Sequence, residues 1–159
     1  MAKLLKTGRN IVRLNCMRVV HLACVAPPEI GGIGQAAFTD VIGLRARGVD
    51  AQLVTTESSI VTHAEKEDYI IRLPAYVRVG NAALVKGLKN VLREADIIHI
   101  HYPWYGVAER ILFFCPRVPV VLAFHMDANA DDWRGWIFKM HRRFLQPRLL
   151  RHASRIIIS

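Results

Sequence analysis

The sequence has little cysteine and no cysteine pairing pattern. Only three of the 159 residues are cysteine, at Cys16, Cys24 and Cys115, and they lie far apart with no CxxC pair. A disulfide framework and a structural zinc site are therefore not expected. This composition favours a reducing, cytoplasmic environment.

Long hydrophobic runs are also missing, although hydrophobic residues make up 52% of the chain. No uninterrupted apolar stretch reaches the roughly 18 residues of a membrane-spanning helix. The first sixteen residues carry Lys3, Lys6, Arg9 and Arg13 among short apolar pieces, so they lack the apolar region of a secretion signal. We expect a soluble or peripheral protein, with residues 1–16 as a basic extension and residues 17–159 as one domain.

Acidic residues are scarce relative to basic ones. Thirteen acidic residues face 22 basic ones, which gives a net charge of +9 and a pI near 10. Such an excess favours an acidic partner, either phosphorylated substrates, an anionic lipid surface or nucleic acid. Because no nucleic-acid recognition motif and no clustered aromatic platform is found, nucleic acid is not expected among the partners.

Apolar runs of strand length alternate with helical patterns throughout the domain. Strands are predicted near 18–25, 51–55, 69–73, 96–100, 119–124 and 155–158, and helices near 34–47, 81–94, 106–114 and 133–151, the last bent at Pro147. This order predicts an α/β fold with a doubly wound, Rossmann-like parallel sheet. Ligands of such sheets bind beyond the carboxyl ends of the strands, where the crossover direction reverses.

The loop APPEIGGIG after the first strand contains Gly31, Gly32, Ile33 and Gly34 at the start of a helix. Free backbone N–H groups and the helix dipole at such a position bind anions, so a donor phosphate site is predicted there. A tight turn that requires glycine is the alternative explanation.

The same loop also matches a dinucleotide fingerprint by letter. Gly32-x-Gly34-x-x-Ala37 is followed by Glu57 near the end of the second strand. Six residues separate the strand from the first fingerprint glycine, whereas a nicotinamide site needs the turn at the strand end. A nicotinamide-dependent oxidoreductase domain is therefore the weaker alternative.

Polar residues follow the strand near 119–124. His125 comes directly after this strand, so its imidazole is expected at the carboxyl edge, where it is able to contact a sugar hydroxyl or assist proton transfer. Asp127 and Asn129 are either further polar contacts or turn formers.

The segment HIHYPWYG carries two histidines and three aromatic residues. His99 and His101 share one face of a strand, but no third ligand with recognisable spacing accompanies them, so no metal is expected. His101, Tyr102 and Trp104 are predicted to line an acceptor site, with core packing as the alternative for the aromatic rings.

The helix near 133–151 combines an apolar stripe with a basic surface. The stripe contains Trp133, Trp136, Ile137, Met140 and Phe144, and the basic residues are Arg134, Lys139, Arg142 and Arg143. Either the stripe packs on the core, or Trp133 and Trp136 lie at a lipid interface with the basic groups on anionic headgroups.

Three segments together resemble the N-terminal domain of the retaining glycosyltransferase family 4: MRVVHLACVAPPEIGGIGQAAFTDVIGLRARGVDAQLVTT, ADIIHIHYPWYG and VPVVLAFHMDAN. The resemblance covers residues 17–159 and implies one half of a two-domain GT-B fold. It implies transfer of a sugar from a UDP- or GDP-linked donor, without a further cofactor, to a lipid-linked or polysaccharide acceptor at the inner face of the cytoplasmic membrane. By this resemblance the glycine loop approaches the donor diphosphate, His125 lies near the transferred sugar, and residues around 101–104 line the acceptor cleft.

The sequence departs from this family in one respect. The family's Arg/Lys pair and Glu-x7-Glu motif belong to a second domain that this chain does not reach, and Glu57 and Glu65 reproduce the spacing only in the first half. We therefore expect little transferase activity from this chain alone, and we expect a C-terminal nucleotide-sugar domain as partner, in cis or in trans. A non-catalytic, membrane-associated binding module is the alternative from another class.

Overall fold

A computed structural model describes residues 4–7, 10–13, 17–58, 67–114, 117–126 and 133–158. Its strands are β1 (Leu4–Thr7), β2 (Asn10–Arg13), β3 (Arg18–Leu22), β4 (Asp50–Thr56), β5 (Ile70–Leu73), β6 (Ala75–Val79), β7 (Ala82–Val85), β8 (Ile97–Tyr102), β9 (Val120–Phe124) and β10 (Arg155–Ile158). Its helices are α1 (Gly32–Ala46), α2 (Leu88–Leu92), α3 (Ala108–Phe114), α4 (Trp133–Phe144) and α5 (Gln146–His152).

Six strands form one parallel sheet in the order β10-β9-β8-β3-β4-β5. The chain enters this sheet in the middle, at β3, and continues outward through β4 to β5. It then crosses back to β8, on the other side of β3, and continues outward through β9 to β10. The predicted doubly wound, Rossmann-like fold is confirmed. The direction reverses between β3 and β8, so the ligand crevice of this fold is expected at their carboxyl ends.

The sheet is covered differently on its two faces. On the face that we call the α1 face, small residues of the sheet, Ala23 and Ala51, pack with Ala37 and Val41 of α1. The opposite face buries larger side chains of the central strands, which are Val20, Leu22, Ile98, Ile100 and Leu122. They belong to one core cluster with Leu88 of α2, Ile111 of α3 and Leu149 of α5. Successive side chains of a strand point to opposite faces, and both faces of the central strands are covered. This explains the nearly continuous apolar runs of the sequence.

The helix predicted for residues 81–94 is wrong. The structure instead has an antiparallel hairpin of β6 and β7, followed by the short α2. Gly80 turns the hairpin at φ 54°, and Gly87 ends it at φ 82°. The Ala83 N–H donates to the Tyr105 carbonyl at 3.0 Å, and the Tyr105 N–H donates to the Asn81 carbonyl at 2.9 Å. These contacts with a distant loop override the helical preference of the alanines.

The helix predicted for residues 133–151 is interrupted rather than merely bent. α4 ends at Phe144, and α5 starts at Gln146 with Pro147 in its first turn. Proline is tolerated there because the N–H that it lacks has no partner within the helix.

The basic extension includes β1 and β2, which pair with each other in a two-stranded antiparallel sheet. The domain boundary near residue 16 stays a prediction. Cys24 is buried as a free thiol, and burial raises the pKa of that thiol. Cys16 and Cys115 lie outside the described residues.

We predict that Gly106→Ala destabilises the fold by about 2 kcal/mol. Gly106 has φ 80°, and a Cβ there would lie 2.6 Å from the Ala83 carbonyl oxygen. Gly48→Ala is the matched control, since Gly48 has φ 84° but no atom within 4 Å of the added Cβ. Urea denaturation followed by circular dichroism should show the larger loss for Gly106→Ala, and equal losses would contradict the packing argument.

Candidate functional site

The candidate site lies at the carboxyl edge of the sheet, on the α1 face. The loop after β3 leads into α1 there. Beside it lie His101, next to the last residue of β8, and His125, the residue that follows β9. The His125 ring stacks on the His101 ring at a centroid distance of 5.4 Å, and the imidazole of His101 lies 3.8 Å from Asp40 of α1. The glycine turn and His125 therefore share one end and one face of the sheet.

The glycine turn presents unpaired backbone donors. Gly31 is the N-cap of α1, and its carbonyl accepts the Gln35 N–H at 2.9 Å. Among the residues that the structure describes, no acceptor is found for the N–H groups of Gly32, Ile33 and Gly34. With the positive end of the helix dipole behind them, these three N–H groups are able to bind an anion.

The three glycines of this turn have different reasons to be glycine. A Cβ at Gly34 would lie 2.6 Å from the Val25 carbonyl oxygen, and one at Gly31 would lie 2.9 Å from the Val25 Cγ2. Close packing against β3's exit therefore explains both. At Gly32 an added Cβ would meet nothing within 4 Å. No protein contact therefore requires glycine at position 32, and this residue faces open space.

Two arginines hold the glycine loop, and neither was predicted from the sequence. Arg78 of β6 donates two hydrogen bonds to the Glu29 carboxylate, at 3.1 and 2.6 Å, and Arg72 donates to the Pro27 carbonyl. The Arg78 hydrogen bonds lower the pKa of Glu29. These contacts join residues more than forty positions apart, so no local spacing announces them.

A chain of three imidazoles runs from β3 to the cleft. His21 Nδ1 lies 3.1 Å from His101 Nε2, and His101 Nδ1 lies 3.2 Å from His125 Nε2. His101 is only 1% exposed, so it supports His125 from below rather than forming the surface of the cleft. His21 was not predicted, because a lone histidine within an apolar run has no local feature that distinguishes it.

The buried imidazoles are neutral at physiological pH. Burial, reinforced by neighbouring imidazoles, lowers the pKa of His21 to about 3 and that of His101 to about 2. Each neutral ring has one N–H, so the protons of the chain all point in one direction. If His21 donates through Nδ1, then His101 donates through Nδ1 to His125 Nε2. Either direction fixes the orientation of the His125 ring.

The remaining predicted acceptor residues are placed less favourably. Tyr102 and Trp104 are each 1% exposed and belong to the main core, which is the packing alternative left open by the sequence. Tyr105 is half-buried behind them. Asp127 and Asn129 lie outside the described residues, so their role stays a prediction.

The stripe residues Trp136, Ile137, Met140 and Phe144 of α4 are exposed to solvent, which argues against the alternative that the stripe packs on the core. Trp136 is 66% exposed and Phe144 51%. The inward side of α4 is formed instead by Phe138 and His141, both of which contact the Tyr105 ring.

The basic residues Lys139, Arg142 and Arg143 are exposed on the same helix as this stripe. Nothing is described of the Trp133 and Arg134 side chains. None of the described helices is both long enough and apolar enough to cross a membrane.

Residues 31–159 match the sequence profile of the glycosyl transferase 4-like domain, and the chain belongs to this family. No curated protein sequence matches it. Two solved structures of an α-glucosyltransferase, both in complex with UDP and 13-mer DNA, are similar in fold. The first, whose DNA contains an HMU base, has a TM-score of 0.55 at 15% identity, and the match covers 89% of this chain and 37% of that one. The second, whose DNA contains a central A:G mismatch, has a TM-score of 0.53 at 16% identity, with 89% and 37% covered.

Two points follow from these comparisons. This chain spans about 37% of the length of those glucosyltransferase chains. The exclusion of nucleic acid as a partner is wrong, because glucosyltransferases of this fold are found in complex with DNA. The missing recognition motif did not justify that exclusion, since proteins of this fold are found in complex with DNA.

We predict that acidification from pH 6.5 to about 5 lowers the free energy of unfolding, by up to about 1.4 kcal/mol per pH unit for each of His21 and His101. The unfolded chain protonates His21 and His101 near pH 6.5, whereas the folded chain keeps them neutral until the pH approaches 3. The unfolded state therefore binds more protons, and stability rises with pH over this window. Urea denaturation at several pH values measures the slope.

The variant His21→Leu should flatten this slope, and His152→Leu is its control. The pKa of His21 is strongly lowered in the folded chain. Replacing His21 therefore removes one of the protons that the unfolded chain binds and the folded chain does not. An unchanged slope in His21→Leu would show that the buried imidazoles do not cause the acid sensitivity.

Proposed function

We propose that this chain is the acceptor-side half of a retaining glycosyltransferase. In this proposal it transfers a sugar from a UDP- or GDP-linked donor to a lipid-linked or polysaccharide acceptor once a C-terminal nucleotide-sugar domain completes the cleft. The observation that carries the proposal is the shared position of the Gly32–Gly34 N–H groups, for which the described residues supply no acceptor, and the supported His125, on one face at the strand-order reversal. The retained anomeric configuration rests on the family resemblance.

The glycine turn would act on the leaving diphosphate. As the bond between the sugar and the phosphate breaks, negative charge grows on the phosphate oxygen, and fixed N–H donors stabilise that charge more than they stabilise the bound donor. The clamp of Glu29 by Arg78 keeps the loop in place before the donor arrives. The turn is therefore preorganised for a charge that develops during the reaction.

His125 would act on the sugar. Its ring is held by His101 Nδ1 at 3.2 Å, so the imidazole has a defined orientation at the edge of the cleft. An imidazole in this position is able to hydrogen-bond a sugar hydroxyl and to share in the proton movements around the reacting carbon.

α4 supports a membrane-bound acceptor. Its exposed residues Trp136, Ile137, Met140 and Phe144 are apolar, and Lys139, Arg142 and Arg143 provide positive charge on the same helix. Helices of this composition lie in the interface of anionic membranes, with aromatic residues among the headgroups. We place the protein in the cytoplasm, at the inner face of the membrane, where lipid-linked acceptors are accessible.

Transfer is tested with the chain joined to the C-terminal half of a GT-B glycosyltransferase and a labelled nucleotide sugar. We expect Gly32→Ala to lower kcat/KM at least tenfold with little change in melting temperature, because its Cβ meets no protein atom and would occupy the phosphate site. Gly34→Ala is the structural counterpart, and it should lower the melting temperature because its Cβ would lie 2.6 Å from the Val25 carbonyl oxygen. His125→Asn should lower kcat by about a hundredfold.

The outcomes of this assay separate the possibilities. Full activity of Gly32→Ala would remove the donor role of the turn, and full activity of His125→Asn would favour a non-catalytic module. Inversion at the anomeric carbon, seen by NMR of the product, would contradict the retaining mechanism. Appreciable turnover by the 159-residue chain alone would contradict the need for a second domain.

Membrane binding is tested by sedimentation with vesicles of phosphatidylcholine, with and without phosphatidylglycerol. We expect binding only to the anionic vesicles, weakened by salt and by about tenfold or more in the double variant Arg142→Gln/Arg143→Gln. Lys89→Gln/Arg93→Gln removes two exposed charges from α2 and its C-cap and serves as the control, with little effect expected. A duplex DNA of equal charge concentration forms the second arm. Preferential binding to that DNA would replace the lipid-linked acceptor with a nucleic acid.

A further inference from the structure

A cavity of about 610 Å³ lies on the α1 face, between α1 and the strands β8, β9 and β10. Apolar residues such as Val19, Ile97 and Val121 form most of its wall. Three side chains in this wall are metal-ligating types: His21 of β3, His99 of β8 and Asp40 of α1. Polar groups in an apolar cavity are costly unless something satisfies them, so their presence calls for an explanation.

The fold brings four potential ligands together. His21 and His99 are direct partners in the parallel pairing of β3 with β8, and their ring centroids are 4.6 Å apart. The His101 ring lies 4.5 Å from that of His99, and the Asp40 carboxylate lies 3.8 Å from His101 Nε2. One ligand atom from each of these four residues lies within 4.8 Å of the others.

Hydrogen bonds within the protein do not satisfy this cluster. His21 is fully buried, and neither its Nε2 nor the buried Nε2 of His99 has a hydrogen-bond partner among the described residues. A buried ring nitrogen without a partner costs about 1 to 3 kcal/mol. The Asp40 carboxylate lies 3.8 Å from His101 Nε2, which is too long for a hydrogen bond.

We propose that His21, Asp40, His99 and His101 bind a divalent transition-metal ion with the preferences of Zn²⁺. Three imidazoles and one carboxylate are a ligand set that suits Zn²⁺. Ligand atoms on a tetrahedral zinc lie about 3.3 Å apart. The distances of 3.1 Å between His21 Nδ1 and His101 Nε2 and 3.8 Å between His101 Nε2 and Asp40 are near this value, and all four ligand atoms lie within 4.8 Å of one another.

The ion would join three elements. It would use the lone pairs of the buried rings, and it would hold α1 to β3 and β8 through Asp40. With the metal on His101 Nε2, the His101 proton lies on Nδ1, where it donates to His125 Nε2 at 3.2 Å. A ligating histidine commonly donates its other N–H to a neighbouring acceptor in this way. No spacing along the chain indicates this set, because only His99 and His101 are close in the chain.

The test uses the 159-residue chain without a purification tag, treated with EDTA and then dialysed. Titration with Co²⁺ should produce the visible absorption bands of a tetrahedral site at one ion per chain, and Zn²⁺ should remove these bands by displacement. Zn²⁺ should also raise the melting temperature by several degrees, because it binds only the folded state. No sugar-transfer activity enters these measurements, so the result is independent of the proposed function.

Asp40→Asn and His99→Asn should each weaken Co²⁺ binding by about a hundredfold or more. The Asp40 side chain is half-exposed, so its loss leaves the core intact. Asp68→Asn is the matched control, since that carboxylate is 86% exposed and lies outside the cluster, and its affinity should equal that of the unaltered chain. Absence of the visible bands, or equal affinities in Asp40→Asn and Asp68→Asn, would overturn the proposal.

Discussion

The pairing of β3 with β8 is the contact on which the rest of this structure depends. These two strands are 75 residues apart in the chain, from Leu22 to Ile97, yet they are neighbours in the sheet with Val19 opposite Ile97 and His21 opposite His99. Their pairing creates the reversal of strand order, and it places the N-terminus of α1 beside the carboxyl ends of β8 and β9. A shift of one residue in this register would turn the whole set of side chains of one strand to the other face.

The sequence predicts most of this sheet but not the hairpin beside it. Apolar, β-branched runs mark the strands of the parallel sheet without reference to any partner, even β10, whose residues are all exposed at the edge of the sheet. β6 and β7 were missed because Ala82 and Ala83 favour a helix. Their conformation is set by the loop at Tyr105, to which Ala83 donates a hydrogen bond. Local preference decides a segment only where no distant contact opposes it.

The same distinction applies to the candidate site. The position of His125 and the N-terminus of α1 follow from where a strand ends and where a helix begins, so they were predicted. The residues that support them, Arg78 and His21, belong to elements far away in the chain, and only the tertiary fold shows them. The sequence also left Tyr102 and Trp104 undecided, because an aromatic ring at a strand exit suits a core and a cleft equally well. Their 1% exposure decides for the core.

His101 joins the two halves of this site, because its two ring nitrogens face different groups. Nε2 is directed to His21 and Asp40 beneath α1, and Nδ1 is directed to His125 at the cleft. A neutral imidazole has one proton to share between these nitrogens. Whatever binds Nε2 therefore decides whether His101 donates to His125 or accepts from it. A metal ion at the cluster would bind Nε2 and leave the proton on Nδ1, which leaves His125 as the acceptor. The proton on His125 then lies on its other nitrogen, so the cluster beneath α1 sets which hydrogen bonds His125 is able to make.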